Sequence, residues 1–429
     1  MLSYFQLQER GSSVRTEVLA GCTTFLTLAY IIFVNPLVLG GAGMDTGAVL
    51  VATCLASAFG CLVMGLWANY PIALAPGMGL NAYFVAIAVG TLGLAWQVAL
   101  GAVFLSGVLM FILSVLPVRK WVVDSIPRSQ KMAIAAGIGF FLAIIALQNA
   151  GVVVDSEATL ITLGDLGQWT VLLAVLGFLA MVALEHRGLP GAVLLCILAV
   201  AVVGWVSGLS PAPESVVSAP PSLAPTAFQL DVAAAIEVGL VAIVFSFLMV
   251  DLFDTSGTLV AVLNEAGLSD EDGRVPGLRR ALVADSSATM VGALLGTSTT
   301  TSYIESAAGV RAGGRTGLTA VVVAGLFLAA LVLAPLATAI PTFATAPAIL
   351  FVGCIMARAL RNVPWDDLTE CVPAIVTALA MPFTYSIATG IGMGFIAYAL
   401  IKLFSGRASE LNAAVVIVAI LFGIRFAIT

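Results

Sequence analysis

Residues 244–315 read VFSFLMVDLFDTSGTLVAVLNEAGLSDEDGRVPGLRRALVADSSATMVGALLGTSTTTSYIESAAGVRAGGR, and the rest of the chain is organised around them. Four acidic residues lie here well inside apolar flanks: Asp251, Asp254, Asp285 and Glu305. A carboxylate at membrane depth is costly, so it usually faces a polar cavity, a partner or a substrate path. The run GTSTTTS at 296–302 is too polar and too β-branched for a lipid-facing helix, and irregular backbone in a membrane is buried in protein or lines a cavity. The stretch therefore predicts a binding site built across the membrane midplane.

The composition of the whole chain indicates a membrane protein. Of 429 residues, 61% are hydrophobic and 9% are charged, whereas a soluble domain carries about 25% charged residues. Apolar runs of about 20 residues, each long enough to cross the hydrocarbon core, recur along the chain. We therefore expect an all-α polytopic membrane protein.

Fourteen transmembrane segments are expected, and they are numbered 1 to 14 below. They cover about 16–39, 48–68, 72–90, 95–117, 130–150, 169–186, 190–208, 232–262, 277–296, 298–312, 316–340, 345–361, 370–386 and 388–404. A final apolar stretch, about 411–428, is short.

The basic residues set the orientation of these segments, because Lys and Arg concentrate on the cytoplasmic side. With a cytoplasmic N-terminus and strict alternation, every Lys and Arg falls on that side except Arg425 in the final stretch. The opposite loops, 151–168 and 209–230, hold no Lys or Arg. We expect a multi-pass protein of the plasma membrane, which is the inner membrane of a bacterium, with its N-terminus in the cytoplasm.

An odd number of segments in each half implies an inverted-topology repeat, which is common in secondary transporters. We place the first repeat at 1–208, an extracellular linker rich in Pro and Ser at 209–231, and the second repeat at 232–429. Segment 3, with PIALAPGMGLNAYF at 71–84, and segment 10, with GTSTTTSYIESAAG at 296–309, are short and interrupted at matching positions. Paired interruptions of this kind are the best sequence indication of a transport site.

The two interruptions predict extended backbone. Pro76, Gly77 and Gly79 do not suit the middle of a membrane helix, because Pro lacks an N–H and Gly adds backbone entropy. We expect a short strand there, followed by a half-helix whose N-terminus carries partial positive charge. The threonines of segment 10 favour a second strand. Two crossing strands would form a polar floor for a planar ligand, and the alternative is two packed helices that use small residues for close approach.

The carboxylates of segment 8 are the main candidates for chemistry. Asp251 and Asp254 are three residues apart and share one helical face, with Phe247 and Phe253 near enough to stack on a ring. The alternative role of Asp254 is a structural hydrogen bond to another helix, and for Asp251 the two roles are evenly balanced. Asp285, one turn inside segment 9, is expected to give structural support by bracing segment 8.

Other polar residues are weighed by position. Asn81 follows the interruption of segment 3 and is a strong candidate, because its amide both donates and accepts hydrogen bonds. Weaker candidates lie on segment 1: Thr23, Thr24 and Tyr30. Solvated positions are expected for His186, Trp365, Asp366, Asp367 and Glu370.

Several kinds of chemistry lack a sequence signal. The six cysteines form no CxxC pair, so we expect free core thiols with no disulfide and no metal: Cys22, Cys54, Cys61, Cys196, Cys354 and Cys371. The chain has no P-loop, no HExxH motif and no nucleophile elbow. Nothing therefore supports ATP-driven transport, hydrolysis, a cofactor or a nucleic-acid partner.

The chain resembles the nucleobase–cation symporters, specifically the azaguanine-resistance-type branch of purine permeases. The motifs that carry the resemblance are APGMGLNAYF at 75–84, VDLFDTSGTL at 250–259, GTSTTTSYIESAAGV at 296–310, GRTGLTAVVV at 314–323 and WDDLTE at 365–370. They are spread over most of the chain. The resemblance implies the uracil-permease fold, with segments 1–4 and 8–11 in a core domain and segments 5–7 and 12–14 in a gate domain.

The resemblance also implies site residues. Asp254 and Glu305 would hold the substrate, with Asn81 beside them and Asp285 on segment 9. Further residues expected at the substrate are Ala75, Gly79, Thr300, Thr301, Ser302, Phe247 and Thr24. The family often has a glutamate where this chain has Asp254, so the geometry of that contact stays open and Asp251 could share the role.

The expected function is import of the purines guanine, hypoxanthine and adenine by proton symport, through an elevator-like motion of the core domain against the gate domain. The purine specificity comes from the resemblance. Asp254 is the expected proton carrier, because Phe247, Phe253 and Leu259 disfavour a charged carboxylate, and Glu305 and Asp251 are next in line. The bilayer is a further partner, and the long apolar helices of the gate domain offer a surface for a homodimer.

Alternatives stay open at this point. An anion exchanger or channel on the same fold would want a basic residue or only helix N-termini at its centre, and the carboxylates argue against it. Another nucleobase, uracil or xanthine, is a second transport alternative. A polytopic membrane enzyme lacks the His, Cys or metal ligands that its chemistry would need. Sodium and proton coupling are not distinguished by the sequence.

Overall fold

The structure is a computed structural model that describes residues 4–91, 93–115, 127–237, 241–268 and 276–428. Within those ranges, nine helices are long and apolar enough to cross a bilayer, and three shorter apolar helices accompany them. The chain is therefore a multi-pass α-helical membrane protein, as its composition predicts. The side chains of Phe253 and Arg425 lie outside the described part of the chain.

The first half of the chain holds segments 1 to 7. Segment 1 is divided at Ala29 and Tyr30, where the backbone tightens into hydrogen bonds from Ile32 N to Ala29 O and from Phe33 N to Tyr30 O, both 3.1 Å. The helices are Val14–Leu28 and Ile31–Gly40 in segment 1, Thr46–Val63 with Met64–Ala68 in segment 2, Met78–Tyr83 with Phe84–Thr91 in segment 3, Trp96–Val115 in segment 4, Arg128–Asn149 in segment 5, Trp169–His186 in segment 6 and Ala192–Val206 in segment 7.

The second half holds segments 8 to 14 and the final apolar stretch. Its helices are Val232–Glu237 and Val241–Glu265 in segment 8, Leu278–Leu295 in segment 9, Ser306–Arg311 in segment 10, Gly317–Ala330, Leu331–Leu333 and Ala334–Thr338 in segment 11, Thr342–Ala357 with Arg358–Asn362 in segment 12, Leu368–Phe383 in segment 13 and Ile387–Phe404 in segment 14. The short helix Ala408–Glu410 and the final helix Ala413–Ile428 follow.

The two interrupted segments form the predicted strands. Strand β1, Leu74–Pro76, precedes the half-helix of segment 3, and a matching strand, Thr300–Ser302, precedes the half-helix of segment 10. The two strands pair antiparallel, with Ala75 opposite Thr301. Beyond the paired residues, Gly77 N donates to Thr299 O at 2.9 Å. The prediction of strands in segments 3 and 10 is confirmed, and each half of the chain contributes one strand to a sheet at the centre of the protein.

A hairpin in the loop at 151–168 was missed by the sequence reasoning. Strands β2, Val153–Ser156, and β3, Leu160–Leu163, pair antiparallel, and Thr300–Ser302 is accordingly β4. Leu160 has a φ of 67°, the left-handed conformation that a tight turn between strands requires. Both strands are rich in β-branched residues, which is the signal that could have revealed them.

The helices pack in two groups. Segments 1, 2, 4, 9 and 11 contact one another, and segments 5, 6, 12, 13 and 14 form the second group. Glycines allow the closest approaches within each group: a Cβ at Gly317 would lie 2.0 Å from Gly65 O, and one at Gly353 would lie 2.6 Å from Gly139 O. The half-helix of segment 3 and the long helix of segment 8 contact segment 5, so they lie between the two groups.

A buried carboxylate caps the start of segment 11. Glu17 is fully buried in segment 1 and accepts hydrogen bonds from Arg315 N at 3.0 Å, Thr316 N at 3.2 Å and Thr319 Oγ1 at 2.5 Å. The side chain of Asn69 accepts from Gly317 N at 2.8 Å. The free N–H groups of a helix N-terminus favour an anion. Because Glu17 accepts hydrogen bonds from these groups, it links segment 1 to segment 11.

The expectation that Glu370 is solvated is wrong. Its carboxylate pairs with the fully buried Lys402 at 2.8 Å and accepts from Tyr398 at 3.0 Å. Lys402 also pairs with Glu410 at 2.7 Å. We call the connected residues at the ends of segments 13 and 14 the ion-pair cluster: Asp367, Glu370, Lys402, Arg407 and Glu410.

Arg407 completes the ion-pair cluster on its exposed side. Its guanidinium lies 2.7 Å from Asp367 and 2.6 Å from Glu410. A hydrogen bond from Thr369 and the Arg407 guanidinium lower the pKa of Asp367 to about 2. Hydrogen bonds from Lys402 and Arg407 likewise lower the pKa of Glu410. Asp367 and Glu410 are therefore held as anions.

The six cysteines are free thiols. Cys61 binds strand β1, since its sulfur lies 3.2 Å from Leu74 N and 3.4 Å from Leu74 O. Cys354 is exposed and Cys22 is partly buried, so the expectation of core positions is wrong for Cys354. His186 is exposed at the end of segment 6, as expected.

Candidate functional site

The paired strands β1 and β4 bring two carboxylates to the centre of the protein. Asp254 is partly buried on segment 8, and its Oδ2 accepts a hydrogen bond of 3.4 Å from the hydroxyl of Thr301 on β4. Glu305 lies three residues after β4, where the half-helix of segment 10 begins. Segment 10 therefore contacts one carboxylate through its strand and carries the other.

Glu305 has a defined hydrogen-bond donor. The hydroxyl of Tyr30, at the division of segment 1, donates to Glu305 Oε1 at 2.7 Å. Tyr30 is 2% exposed, whereas Glu305 is partly buried. The hydroxyl of a second tyrosine, Tyr303, donates a hydrogen bond to Pro76 O at 2.5 Å and links the end of β4 to the end of β1. Two phenols therefore surround the start of the half-helix, and one of them fixes a carboxylate oxygen.

The other two predicted carboxylates form a separate group. Asp251 and Asp285 are both fully buried, and the hydroxyl of Thr255 lies 3.2 Å from Asp251 Oδ1 and 3.1 Å from each oxygen of Asp285. Ser302 Oγ lies 3.4 Å from Asp285 Oδ1. Asp285 thus connects segment 9 to segment 8 and to the end of β4. The bracing role expected for Asp285 stays a prediction.

Asn81 is the centre of a buried polar network. Its Nδ2 donates to Asn35 Oδ1, and its Oδ1 accepts from Ser298 Oγ. Asn35 in turn donates to Thr53 Oγ1 at 2.6 Å and to Thr297 Oγ1 at 2.9 Å. All five side chains are fully buried. The network joins segments 1, 2, 3 and 10, and it fixes which way the Asn81 amide faces.

The remaining predicted residues occupy different surroundings. Phe247 is fully buried and meets Tyr83 edge to face, with ring centres 4.9 Å apart and planes at 81°. Thr300 is buried on β4, and Ala75 lies opposite Thr301 in the pair.

Gly79 and Thr24 lie against other helices. A Cβ at Gly79 would lie 2.6 Å from Ile138 Cγ2 of segment 5, so Gly79 sits at the contact between the two helix groups. Thr24 is fully buried against the half-helix of segment 10, where a Cβ at Gly309 would lie 2.0 Å from its hydroxyl. Gly309 is therefore needed for segments 1 and 10 to approach.

Tyr30 and Asn35 are the residues of this region that sequence reasoning undervalued or missed. Tyr30 is only a weaker candidate by sequence, and Asn35 is not among the sequence candidates. The available signal was the polar pair Tyr30 and Asn35 in the otherwise apolar run AYIIFVNPLVL at 29–39, next to Pro36. Polar side chains in such a run face protein and not lipid.

Two cavities border the second helix group. One, of about 250 Å³, lies between segments 1 and 3 on one side and segments 5 and 12 on the other, and its lining includes Val34, Met78, Leu142, Thr345 and Tyr385. Met78 connects it to the polar network, because its sulfur lies 3.8 Å from Asn81 Nδ2. The other, of about 590 Å³, lies beside the ion-pair cluster and is lined in part by Arg128, Lys131 and Glu370.

Comparison with known proteins gives a consistent result. A family model described as Permease family, Xan_ur_permease, matches residues 15–393. Adenine permease AdeP of Escherichia coli K12 is 48% identical over 418 residues, which cover 97% of this chain and 94% of that protein. Guanine/hypoxanthine permease PbuG of Bacillus subtilis 168 is 43% identical over 423 residues, 96% of each chain.

Among solved structures, the transmembrane domain of a cyanobacterium bicarbonate transporter, BicA, matches with a TM-score of 0.64. The match covers 93% of this chain and 97% of that one at 16% identity, so it bears on the fold alone. The family match extends over most of the chain and includes both strands, Asp254 and Glu305. The chain belongs to the Xan_ur_permease family of permeases.

Proposed function

We propose that this protein is a secondary transporter that carries purine nucleobases across the plasma membrane together with a proton. The observation that carries the proposal is the grouping of Asp254 and Glu305 around the paired strands β1 and β4, where segment 8 lies between two groups of helices. The names of relatives supply the substrate class: AdeP is an adenine permease and PbuG a guanine/hypoxanthine permease.

The chemistry of the site suits a purine. Ring N–H groups of a purine donate hydrogen bonds, and carboxylates such as Asp254 and Glu305 accept them strongly. The neighbouring hydroxyl of Thr301 both donates and accepts. Phe247 lies on the same helix as Asp254, and its ring would offer an apolar wall. An anion would meet the two carboxylates unfavourably, so the likeness to a bicarbonate transporter extends to architecture only.

The packing supports a core domain that moves against a gate domain. Segments 1–4 and 8–11 would move with β1, β4 and the site, and segments 5–7 and 12–14 would stay with the ion-pair cluster. The contact of Gly79 with Ile138 lies on the boundary and presents little side-chain bulk to a sliding motion. The cavity of about 250 Å³ lies on the same boundary and offers an approach from the linker side.

Coupling requires a group whose proton affinity depends on the substrate. Asp254 is our proposed carrier, because its described partner is the neutral hydroxyl of Thr301 and the buried side chains of Phe247 and Leu259 lie on the same helix. A protonated Asp254 would donate to a purine acceptor, so substrate and proton would stabilise each other, as reciprocal linkage demands.

Uptake by cells tests the substrate class. Cells that lack their own purine permeases would carry the wild-type chain or Glu305→Gln, and uptake of radiolabelled hypoxanthine, adenine, uracil and bicarbonate would be measured. We expect the wild type to take up hypoxanthine or adenine and Glu305→Gln to lose most of that uptake. Uptake confined to uracil or bicarbonate would overturn the purine assignment.

Accessibility tests the proposed orientation, in which the linker at 209–231 is extracellular and the ion-pair cluster is cytoplasmic. In a background without native cysteines, Ser218→Cys and Ser405→Cys would each introduce one exposed thiol. An impermeant reagent added outside intact cells should label Ser218→Cys only. Labelling of Ser405→Cys from outside would reverse the topology.

A further inference from the structure

We propose that Tyr30 is a positioning residue of the purine site: it holds one oxygen of Glu305 and leaves the other oxygen for the substrate and for protonation of Glu305 itself, separate from the coupled proton proposed for Asp254. The inference rests on the proposed function, since it specifies how the same site is set up. It concerns a residue of segment 1, outside the motifs at 250–259 and 296–310.

The contact between Tyr30 and Glu305 is built into the fold. Tyr30 lies where segment 1 divides between Leu28 and Ile31, and its ring is buried. Its hydroxyl reaches across to segment 10 and donates to Glu305 Oε1 at 2.7 Å. Thr27 lies on the same side of segment 1, with its hydroxyl 3.5 Å from the backbone oxygen of Glu305. The divided segment 1 therefore contacts both the side chain and the backbone of Glu305.

The hydrogen bond decides which oxygen of Glu305 accepts a proton. A buried phenol that cannot donate leaves an unsatisfied polar group, which is costly. A proton on Oε1 would compete with the Tyr30 hydroxyl for that oxygen, whereas a proton on Oε2 leaves the hydrogen bond intact. Oε2 is consequently the oxygen that changes between acceptor and donor. A nucleobase edge placed against Oε2 meets an acceptor when Glu305 is charged and a donor when it is protonated.

Two neighbouring contacts show what is particular to Tyr30. The hydroxyl of Thr301 lies 3.4 Å from Asp254 Oδ2 and also 3.2 Å from Ser302 O, so its single hydrogen is shared between two acceptors. Tyr303 donates to the carbonyl of Pro76, which does not titrate. Tyr30 alone, among the described residues, joins a phenol directly to one of the two carboxylates at the strands. Tyr303→Phe is therefore a matched control, because it also removes a phenolic hydroxyl beside the half-helix of segment 10.

The first experiment compares Tyr30→Phe and Tyr303→Phe. Both variants keep the aromatic ring, and hypoxanthine affinity of the purified proteins would be measured over a range of pH. Affinity should fall for Tyr30→Phe where Glu305 is charged, because the hydrogen bond that orients Glu305 before the substrate arrives is lost. The pH dependence of affinity should also move toward higher pH, because a carboxylate without its donor keeps its proton longer. Tyr303→Phe should lower affinity without moving the pH dependence.

A second variant changes the acceptor, Glu305, in the hydrogen bond from Tyr30. Glu305→Asp shortens the side chain by one methylene and draws the carboxylate away from Tyr30, with segment 1 unchanged. We expect Glu305→Asp to show the altered pH dependence by itself. Addition of Tyr30→Phe to Glu305→Asp should then change affinity by no more than about twofold, because coupled residues are not additive. The test stands even if Tyr30→Phe is unstable.

The outcomes separate this inference from the proposed function. A wild-type protein that binds no purine overturns the proposed function itself. A wild type that binds hypoxanthine, together with Tyr30→Phe and Tyr303→Phe proteins that share the wild-type pH dependence, overturns the role of Tyr30 alone. Full additivity of Tyr30→Phe and Glu305→Asp would also overturn it, since the two residues would then act independently.

Discussion

Two groups of carboxylates in this protein have different partners: cations in one group and neutral hydroxyls in the other. In the ion-pair cluster, Glu370 and Glu410 contact the ammonium of Lys402 at 2.8 and 2.7 Å. At the paired strands, the described side-chain partners of Asp254 and Glu305 are the neutral hydroxyls of Thr301 and Tyr30. The first group joins the start of segment 13 and the end of segment 14 to the short helix Ala408–Glu410. The second lies on segments 8 and 10.

The difference bears on which carboxylates can change charge. A carboxylate beside a fixed cation is stabilised as an anion, and protonation would leave a buried cation unpaired. A carboxylate whose only side-chain partner is a neutral hydroxyl can be charged or protonated, because neither state leaves a cation unpaired. We infer that the ion-pair cluster is structural and that the pair at the strands is able to exchange protons. The predictions below test that division.

The largest expected effect is on stability at the ion-pair cluster. Lys402→Met keeps the volume of the side chain but leaves Glu370 without its cation. Removal of one partner from a buried ion pair costs about 3 kcal/mol, and thermal or denaturant unfolding of the purified protein would measure it. The control is Arg311→Met, which breaks an exposed pair with Glu265 and should cost about 0–1 kcal/mol. Equal losses in both variants would contradict a special role for Lys402.

The next effect is on affinity at the strands. Glu305→Gln keeps the shape of the side chain but loses its charge, and a lost charge-assisted hydrogen bond costs about 1.5–3 kcal/mol. Hypoxanthine affinity should fall by roughly 10- to 150-fold, with unfolding close to that of the wild type. Binding to the purified variant would measure the change. Unchanged affinity in a correctly inserted protein would remove Glu305 from the site.

A third effect concerns the crossing of the strands themselves. A Cβ at Gly77 would lie 2.5 Å from Thr301 Cγ2, so Gly77→Ala should push β1 and β4 apart. Overpacking of this kind costs about 1–3 kcal/mol. Thr301→Ser removes the methyl group and keeps the hydroxyl that contacts Asp254. Gly77→Ala should therefore lower purine uptake, and the double variant Gly77→Ala with Thr301→Ser should restore it. Uptake that stays low in the double variant would mean that the contact with the Thr301 methyl group is not the reason why position 77 requires glycine.

The smallest effect is expected at Asp367, on the exposed side of the ion-pair cluster. Its pKa in the folded protein is lowered to about 2, below the unfolded value of about 3.9. A lowered pKa contributes stability that is present above the unfolded value and is lost as the pH falls through the folded value. The stability of Asp367→Asn should therefore approach that of the wild type only in acid of about pH 2 to 4. A change in the pH dependence of uptake near neutrality would contradict the structural assignment.

The sequence predicted the strands because their signals are local. Pro76 removes an N–H and successive threonines favour extended backbone, and these effects do not depend on distant residues. The hydrogen bonds that define the site do depend on them. Tyr30 and Glu305 are 275 positions apart, and the partners of Asn81 lie 46 and 217 positions away.

Long-range packing also explains the errors. A solvated Glu370 is expected because it lies at the predicted cytoplasmic end of segments 12 and 13, where most charges are solvated, yet the helix of segment 14 brings Lys402 against it. Which helices meet is decided by the whole fold, and a single sequence does not reveal that pairing. The sequence could name Asp254 and Glu305 as candidates because a charge in an apolar segment stands out without knowledge of its partners, and their role at the substrate stays a prediction.

Asp254→Asn shows whether a proton moves with the purine through a carboxylate at the strands. The substitution mimics a permanently protonated side chain. In proteoliposomes with an acidic exterior, the wild type should accumulate hypoxanthine, and a protonophore should abolish the accumulation. Asp254→Asn should still exchange internal for external hypoxanthine but should not concentrate it. Accumulation by Asp254→Asn that a protonophore still abolishes would show that the proton is carried elsewhere and would contradict the account.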